Sequence, residues 1–292
     1  MIINKITDKY LLIYSPSFIY VYRRKTTLMA KEKTHYNLNA KQLHILTLLY
    51  KFRYVTIPLL TSYKNLKSNS LQRNLSILLE NGYIGRTFDL SFKIDRKPAI
   101  YYLSSKGATF LKDDLRFDPN VVHSFYKNKS LSMSFMQHSI DTFNVYNTLK
   151  QDYGDTYQIF TKQELGSFDD LPESKPDLYL RGDQEYFVVL AHDTQPYLTR
   201  KRLAEYIEHS EEEGWSGGVY PTLLFVFADS NNEVRFLEFA KKSLESAGID
   251  TDELMIGVTT MKALPSQSRT NMIWTYVGET NKPASLHIPD VV

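Results

Sequence analysis

Residues 222–227 read Thr-Leu-Leu-Phe-Val-Phe, with no charged side chain and, past Thr222, no polar one. A strand with one wet face alternates apolar and polar residues, so a run without alternation predicts a buried central strand covered on both sides. The flanking periodicities supply the layers that cover it. A helix is expected over 132–152, where Phe135, Ile140, Phe143, Val145, Tyr146 and Leu149 are the apolar positions and His138 sits beside Gln137. Strands follow over 157–161, 177–180 and 186–191, the last two joined by the turn Arg181-Gly182-Asp183-Gln184-Glu185. A helix over 198–213 carries Arg200, Lys201 and Arg202, another spans 234–247, and strands over 254–260 and 272–277 complete the sheet.

The 292 residues are enough for two ordinary domains, and with 42% hydrophobic residues each can bury a core. The absence of cysteine excludes disulfides and thiolate metal sites and fits a reducing, cytoplasmic setting. The formal charge of +2 conceals a division. Residues 1–130 hold 22 Lys and Arg against 8 Asp and Glu, a net +14, and residues 131–292 hold 13 against 25, a net −12. A half this basic attracts polyanions by phosphate neutralisation and counterion release. The plainer reading is that the two halves attract one another or keep the protein in solution.

Residues 1–35 are an extension. Residues 11–22 are apolar and tyrosine-rich, followed by Arg23, Arg24 and Lys25, but a dozen residues falls short of the roughly 20 needed to span a bilayer. No small-residue cleavage site follows, so neither a membrane segment nor a signal peptide is expected, and the composition favours a strand or short hairpin. Met29-Ala-Lys-Glu-Lys offers an alternative start.

Residues 36–115 have their own order of elements. An apolar stripe of Leu43, Ile45, Leu46, Leu48 and Leu49 predicts a helix from Asn39 to near Phe52. Thr56 caps a short second helix with Pro58 in its first turn, ending near Tyr63. After a polar stretch over 64–67, Leu71, Leu75, Leu78 and Leu79 mark a third helix stopped by Gly82. Its other face carries Asn69, Ser70, Gln72, Arg73 and Ser76, side chains able to bond base edges and phosphates in a major groove. A hairpin follows, with Arg86 on its first strand, Lys93, Arg96 and Lys97 in its loop, a return over 99–103 and a further helix from Ser104. This succession, with Leu-Leu-Glu-Asn-Gly-Tyr-Ile and Tyr-Tyr-Leu-Ser-Ser-Lys-Gly, resembles the winged helix-turn-helix domains of bacterial and phage DNA-binding proteins. The resemblance implies a double-stranded DNA ligand, the third helix as reader and the hairpin as wing. The polar, aperiodic residues 116–130 are expected to link this domain to the second, over 131–292.

The order α-β-β-β-α-β with Pro176-Asp177 opening the second strand is that of the restriction-endonuclease-like, or PD-(D/E)xK, fold. The fold class expected is therefore α+β in two domains, an N-terminal winged helix-turn-helix and a C-terminal α/β domain around a central mixed sheet. With the preceding winged helix, the motifs Gln137-His138, Gln163-Glu164, Lys175-Pro176-Asp177, Asp193-Thr194 and Lys201 to Tyr206 are similar to those of the replication-relaxation family of plasmids, phages and integrative elements. That resemblance implies a role in replication initiation or in relaxation and mobilisation of mobile DNA.

A nuclease of this fold holds Mg²⁺ between acidic residues on adjacent strands, with a lysine near the attacking water. Asp177 fits the first place and Glu164 an upstream one. Leu190 stands where the second acid belongs and His192 where the lysine would be. Strand alternation puts Leu190 and His192 on one face and Asp193 on the other, so Asp193 joins only through a bulge, and the lysine would come from Lys201. Glu164, Asp177, His192 and Lys201 are thus read as remnants of a catalytic set, with no cofactor and no metal expected. The alternative is a metal-dependent nuclease or nickase with Mg²⁺ on Asp177, Glu164 and Asp193; a third reading is a transcriptional regulator with a ligand-sensing second domain. In plainer terms, Asp177 opens a strand, His138 and His192 are ordinary core or surface histidines, and Glu211-Glu212-Glu213 is a solvated helix end. The acidic domain is a candidate surface for a replication or conjugation protein, or for homodimerisation.

Overall fold

Asn39 begins the larger of two compact units, residues 39–292; the smaller is residues 1–38. In this computed structural model the described residues are 3–7, 10–15 and 18–23, for their backbone, and 37–64, 68–88, 90–112, 114, 116–154, 156–212, 214–266 and 273–278. The smaller unit is an antiparallel meander of β1 (Ile3–Thr7), β2 (Tyr10–Ser15) and β3 (Phe18–Arg23), in which Ile13 pairs with Tyr20.

In the larger unit, α1 (Ala40–Phe52) opens with a reciprocal capping box: the Asn39 side chain accepts from the Gln42 amide and Gln42 accepts from that of Asn39. Its end is unusual. Arg53 adopts φ 65°, a left-handed value costly for a residue with a Cβ, and its guanidinium donates to Asn128 Oδ1 at 2.8 Å and to the Ser124 carbonyl at 3.0 Å. β4 (Tyr54–Thr56), α2 (Ile57–Lys64), α3 (Ser68–Glu80) and β5 (Ile84–Thr87) follow, with Gly82 at φ +72° ending α3. The loop after β5 contains a short helix, α4 (Leu90–Ile94), before β6 (Ile100–Leu103) and α5 (Ser105–Lys112). The three strands form an antiparallel sheet in the order β4-β6-β5, with Tyr54 opposite Tyr102 and Arg86 opposite Tyr101. Gly107 is required because a Cβ there would stand 2.1 Å from the Tyr83 carbonyl oxygen.

Residues 116–130, expected as a linker, are instead ordered and packed. Asp118 caps α6 (Pro119–Ser124), a 3₁₀ helix covers Phe125–Ser130, and Asn128 is almost wholly buried, accepting from Arg53 and Tyr54. Ser132 then caps α7 (Met133–Tyr153).

The second sheet has six strands in sequence order: β7 (Gln158–Thr161), β8 (Leu178–Arg181), β9 (Tyr186–Leu190), β10 (Thr222–Phe227), β11 (Ile256–Thr260) and β12 (Thr275–Tyr276). β7, β8 and β9 run antiparallel, β9, β10 and β11 are parallel, and β12 is antiparallel to β11, so the sheet is mixed as expected. The parallel links are made by α8 (Pro196–Glu211) and α9 (Ser230–Ala247), which cover one face. There Phe187, Val189, Phe225 and Val258 pack with Leu203, Tyr206, Phe236 and Leu244. β10 is buried throughout and central, the position its composition demands.

The two α+β parts of the larger unit share a core. Phe52 of α1 stacks on Phe143 of α7 at 3.8 Å between centroids and 12° between planes, and meets Tyr146 edge-on at 4.9 Å. Lys51 pairs with Glu164 at 2.9 Å, and Tyr50 donates its hydroxyl to the Gln163 carbonyl. Nearer the start of α7, Met136 packs with Tyr54, Ile100, Tyr102 and Phe92 of α4.

Candidate functional site

α3 buries Leu71, Leu75 and Leu78 and leaves Asn69, Ser70, Gln72, Arg73 and Ser76 exposed. A further polar residue of that stretch, Asn74, is turned inward and donates to the Ser70 carbonyl at 2.7 Å. The exposed face has no acidic residue before Glu80, at the last turn. Arg86 projects from β5 over the ring of Phe88 at 5.8 Å. Lys93, Arg96 and Lys97 are exposed on and after α4, and Lys97 pairs with exposed Asp95 at 3.0 Å, a surface contact of little energy. α4 was not expected. It is anchored by buried Phe92 and presents Leu90 and Ile94, each 72% exposed, beside these cations.

A second cluster gathers around Asp177, which is 5% exposed at the start of β8. Its Oδ2 accepts from the Leu190 amide at 2.9 Å and from Arg202 Nη1 at 3.2 Å, and its Oδ1 lies 3.2 Å from His138 Nε2. Arg202 also donates to the Lys175 carbonyl. Burial works against the Asp177 charge, but Arg202, then His138 and Lys162, outweigh it and hold the carboxyl well below the usual carboxylate range. Burial likewise opposes the charge on His138, yet Asp177 and Asp193 raise its pKa to about 9. The ring therefore bridges two carboxylates, its Nδ1 lying 3.2 Å from Asp193 Oδ1. Burial, with Arg202 and Lys175 nearby, lowers the Lys162 ammonium against the pull of Asp177.

The sequence-based placement of several residues is corrected here. β9 ends at Leu190, and the Ala191 amide donates to the Val226 carbonyl, so strand alternation does not extend to 192 and 193. His192 and Asp193 both reach α7: His192 Nε2 lies 2.8 Å from Asp141 Oδ2, and Asp193 meets His138. Glu164 does not accompany Asp177. Its carboxylate caps the turn after β7 by accepting from the Thr161 amide and hydroxyl, and pairs with Lys51. Lys201 is 62% exposed and pairs with Glu205 at 3.5 Å, while Arg202, one position on, faces Asp177. The helical phase of Thr199, Leu203 and Tyr206 could have singled out Arg202, and the i, i+3 spacing of His138 and Asp141 puts both on one face of α7.

A pH dependence follows from His138. Its folded pKa stands above the unfolded value of about 6.5, so its ion pairs contribute fully below that value and are lost as pH rises toward about 9. In EDTA, stability against urea is expected to decline across this window by at most about 3 kcal/mol. In His138→Gln the decline should disappear; an unchanged profile in that variant would assign it to another group.

Among the described residues no helix is long and apolar enough to cross a membrane. Compared with protein-family models, curated proteins and solved structures, the chain matches none.

Proposed function

We propose that this chain is a double-stranded DNA-binding protein, with a winged helix-turn-helix over residues 36–115 and a restriction-endonuclease-like second domain that acts without catalysis. The observation that carries the reading is the exposed face of α3, without an acidic residue before Glu80, beside a hairpin bearing exposed Arg86, Lys93, Arg96 and Lys97. Arg73 and Gln72 have the chemistry to bond base edges, and the wing cations suit phosphates. The +14 charge of residues 1–130 supports the same ligand.

The lack of catalysis is argued from Asp177. Both its oxygens are engaged by protein donors, two of them cationic side chains, whereas a Mg²⁺ ligand needs a free oxygen facing other acids. Glu164 and Lys201, the other residues that an active set would use, are committed elsewhere. Together with the family resemblance, these features favour a factor in replication initiation, relaxation or mobilisation of a mobile element. Its acidic half is then available to a replication or conjugation protein.

Arg73→Ala is expected to weaken binding to the target duplex by about 1–3 kcal/mol and to relax sequence preference, read by fluorescence anisotropy on specific and scrambled duplexes. Lys93→Ala should weaken both duplexes alike and reduce the salt slope by about one. Undiminished binding in the Arg73→Ala/Lys93→Ala double variant would remove α3 and the hairpin as the DNA surface.

A further inference from the structure

Two imidazoles lie parallel between α7 and the end of β9. The rings of His138 and His192 are 5.9 Å apart with planes 9° from parallel. Each is held from behind by a carboxylate at Nε2: His192 by Asp141 at 2.8 Å, His138 by Asp177 at 3.2 Å. An ionised carboxylate can only accept, so each Nε2 carries a proton; on His192 Nδ1 is the nitrogen that remains, whereas on His138 Nδ1 faces a second carboxylate. Nδ1 of His138 lies 3.2 Å from Asp193 Oδ1. Nδ1 of His192 is buried and has no hydrogen-bond partner among the described residues. A buried nitrogen left without a partner costs about 1–3 kcal/mol, so protein atoms alone do not satisfy the cluster.

An imidazole whose far nitrogen donates to a carboxylate while its near nitrogen stays free is how a histidine is oriented and made basic for a metal. Here His192 is such a histidine, and His138 becomes one when its Nδ1 gives up the contact with Asp193 to a metal: one ligand atom from each of His138, His192 and Asp193 lies within 4.8 Å of the others. Bonds of about 2.1 Å in tetrahedral geometry need ligand atoms roughly 3.4 Å apart. His138 and Asp193 already meet that spacing, and His192 has only to close in. We infer that His138, His192 and Asp193 form a binding site for a divalent first-row transition ion, with Asp141 and Asp177 orienting the two imidazoles from behind.

Two imidazoles and one carboxylate suit Zn²⁺ and its neighbours rather than Mg²⁺, which takes oxygen ligands. The site thus shares only Asp193 with the Asp177-centred Mg²⁺ set of an active nuclease and differs from it in metal class, and it is independent of the DNA-binding proposal. A cavity of about 130 Å³, lined also by Arg200 and Arg235, lies beside His192.

The test is calorimetric titration of the full chain, stripped with EDTA and dialysed, with Zn²⁺ and separately with Mg²⁺. One Zn²⁺ per chain, a raised Tm, and no saturable Mg²⁺ binding at the same concentrations are expected. Co²⁺ in place of Zn²⁺ should give the visible absorption of a low-symmetry nitrogen and oxygen site, lost on adding Zn²⁺. His192→Ala and Asp193→Asn should each abolish the stoichiometric binding, and Asp141→Asn should weaken it about 10- to 100-fold. Folding of the variants is checked by circular dichroism, and the Co²⁺ spectrum of the unaltered protein decides the matter should a variant fail to fold. Absence of saturable Zn²⁺ binding to the unaltered protein would overturn the inference and leave the cluster as a network of ion pairs. Binding that survives in both folded ligand variants would overturn it equally.

Discussion

Arg202→Met is expected to destabilise the protein by up to about 3–5 kcal/mol, because it removes one partner of a buried ion pair and leaves Asp177 with His138 as its remaining ion-pair partner. Asp177 is 5% exposed, and its Oδ2 would keep only the Leu190 amide. Urea unfolding should show a lower midpoint with an unchanged slope. Adding Asp177→Asn to this variant removes the carboxylate charge and should recover part of the loss, giving a coupling energy in the double-mutant cycle. Lys201→Met is the control. Its side chain is 62% exposed and holds only a surface pair with Glu205, so its effect should stay within about 0.5 kcal/mol. Equal effects at 201 and 202 would mean that α8 does not present Arg202 to Asp177.

Phe52→Ala should cost about 3–5 kcal/mol, and it should do so for the whole of the larger unit at once. The Phe52 ring stacks on Phe143 and meets Tyr146, both on α7, so the cavity opens between the α1 to β6 region and the helix preceding the six-stranded sheet. The chain provides its own reporters. Both tryptophans, Trp215 and Trp274, lie in the second part, so their fluorescence follows that part alone, whereas helical dichroism follows both. Coincident transitions, each shifted to lower urea by Phe52→Ala, are expected of a shared core. A biphasic curve in which tryptophan fluorescence is untouched by the substitution would mean that the parts fold independently.

The sequence carries this fold unevenly. Residues 222–227 could be placed because burial on both faces leaves a mark in every side chain, and they do lie between β9 and β11. The α3 stripe and its stop at Gly82 are local signals, and local signals survive in a single sequence. β4 was missed because three residues are too few to alternate, and Thr56 also suits a helix cap. Residues 116–130 read as a linker because what orders them is distant: Asn128 is held by Arg53 and Tyr54, more than 70 positions away. In the Asp177 cluster, motif analogy pointed to Glu164, His192, Asp193 and Lys201, of which His192 and Asp193 lie in it. The residues assembled there, His138, His192, Asp193 and Arg202, come from two helices and a turn whose meeting no spacing reveals. For Arg202 alone the helical phase was available and would have served better than the motif.

The most direct measurement of the central claim combines retention and cleavage: the purified chain with supercoiled plasmid and with duplex fragments from its genetic neighbourhood, in Mg²⁺, in Mn²⁺ and in EDTA. Retention under all three conditions is predicted, with affinity falling steeply as salt rises and the plasmid remaining supercoiled. No retention at low salt, or metal-dependent nicking lost in Asp177→Asn, would contradict a DNA-binding protein that acts without catalysis.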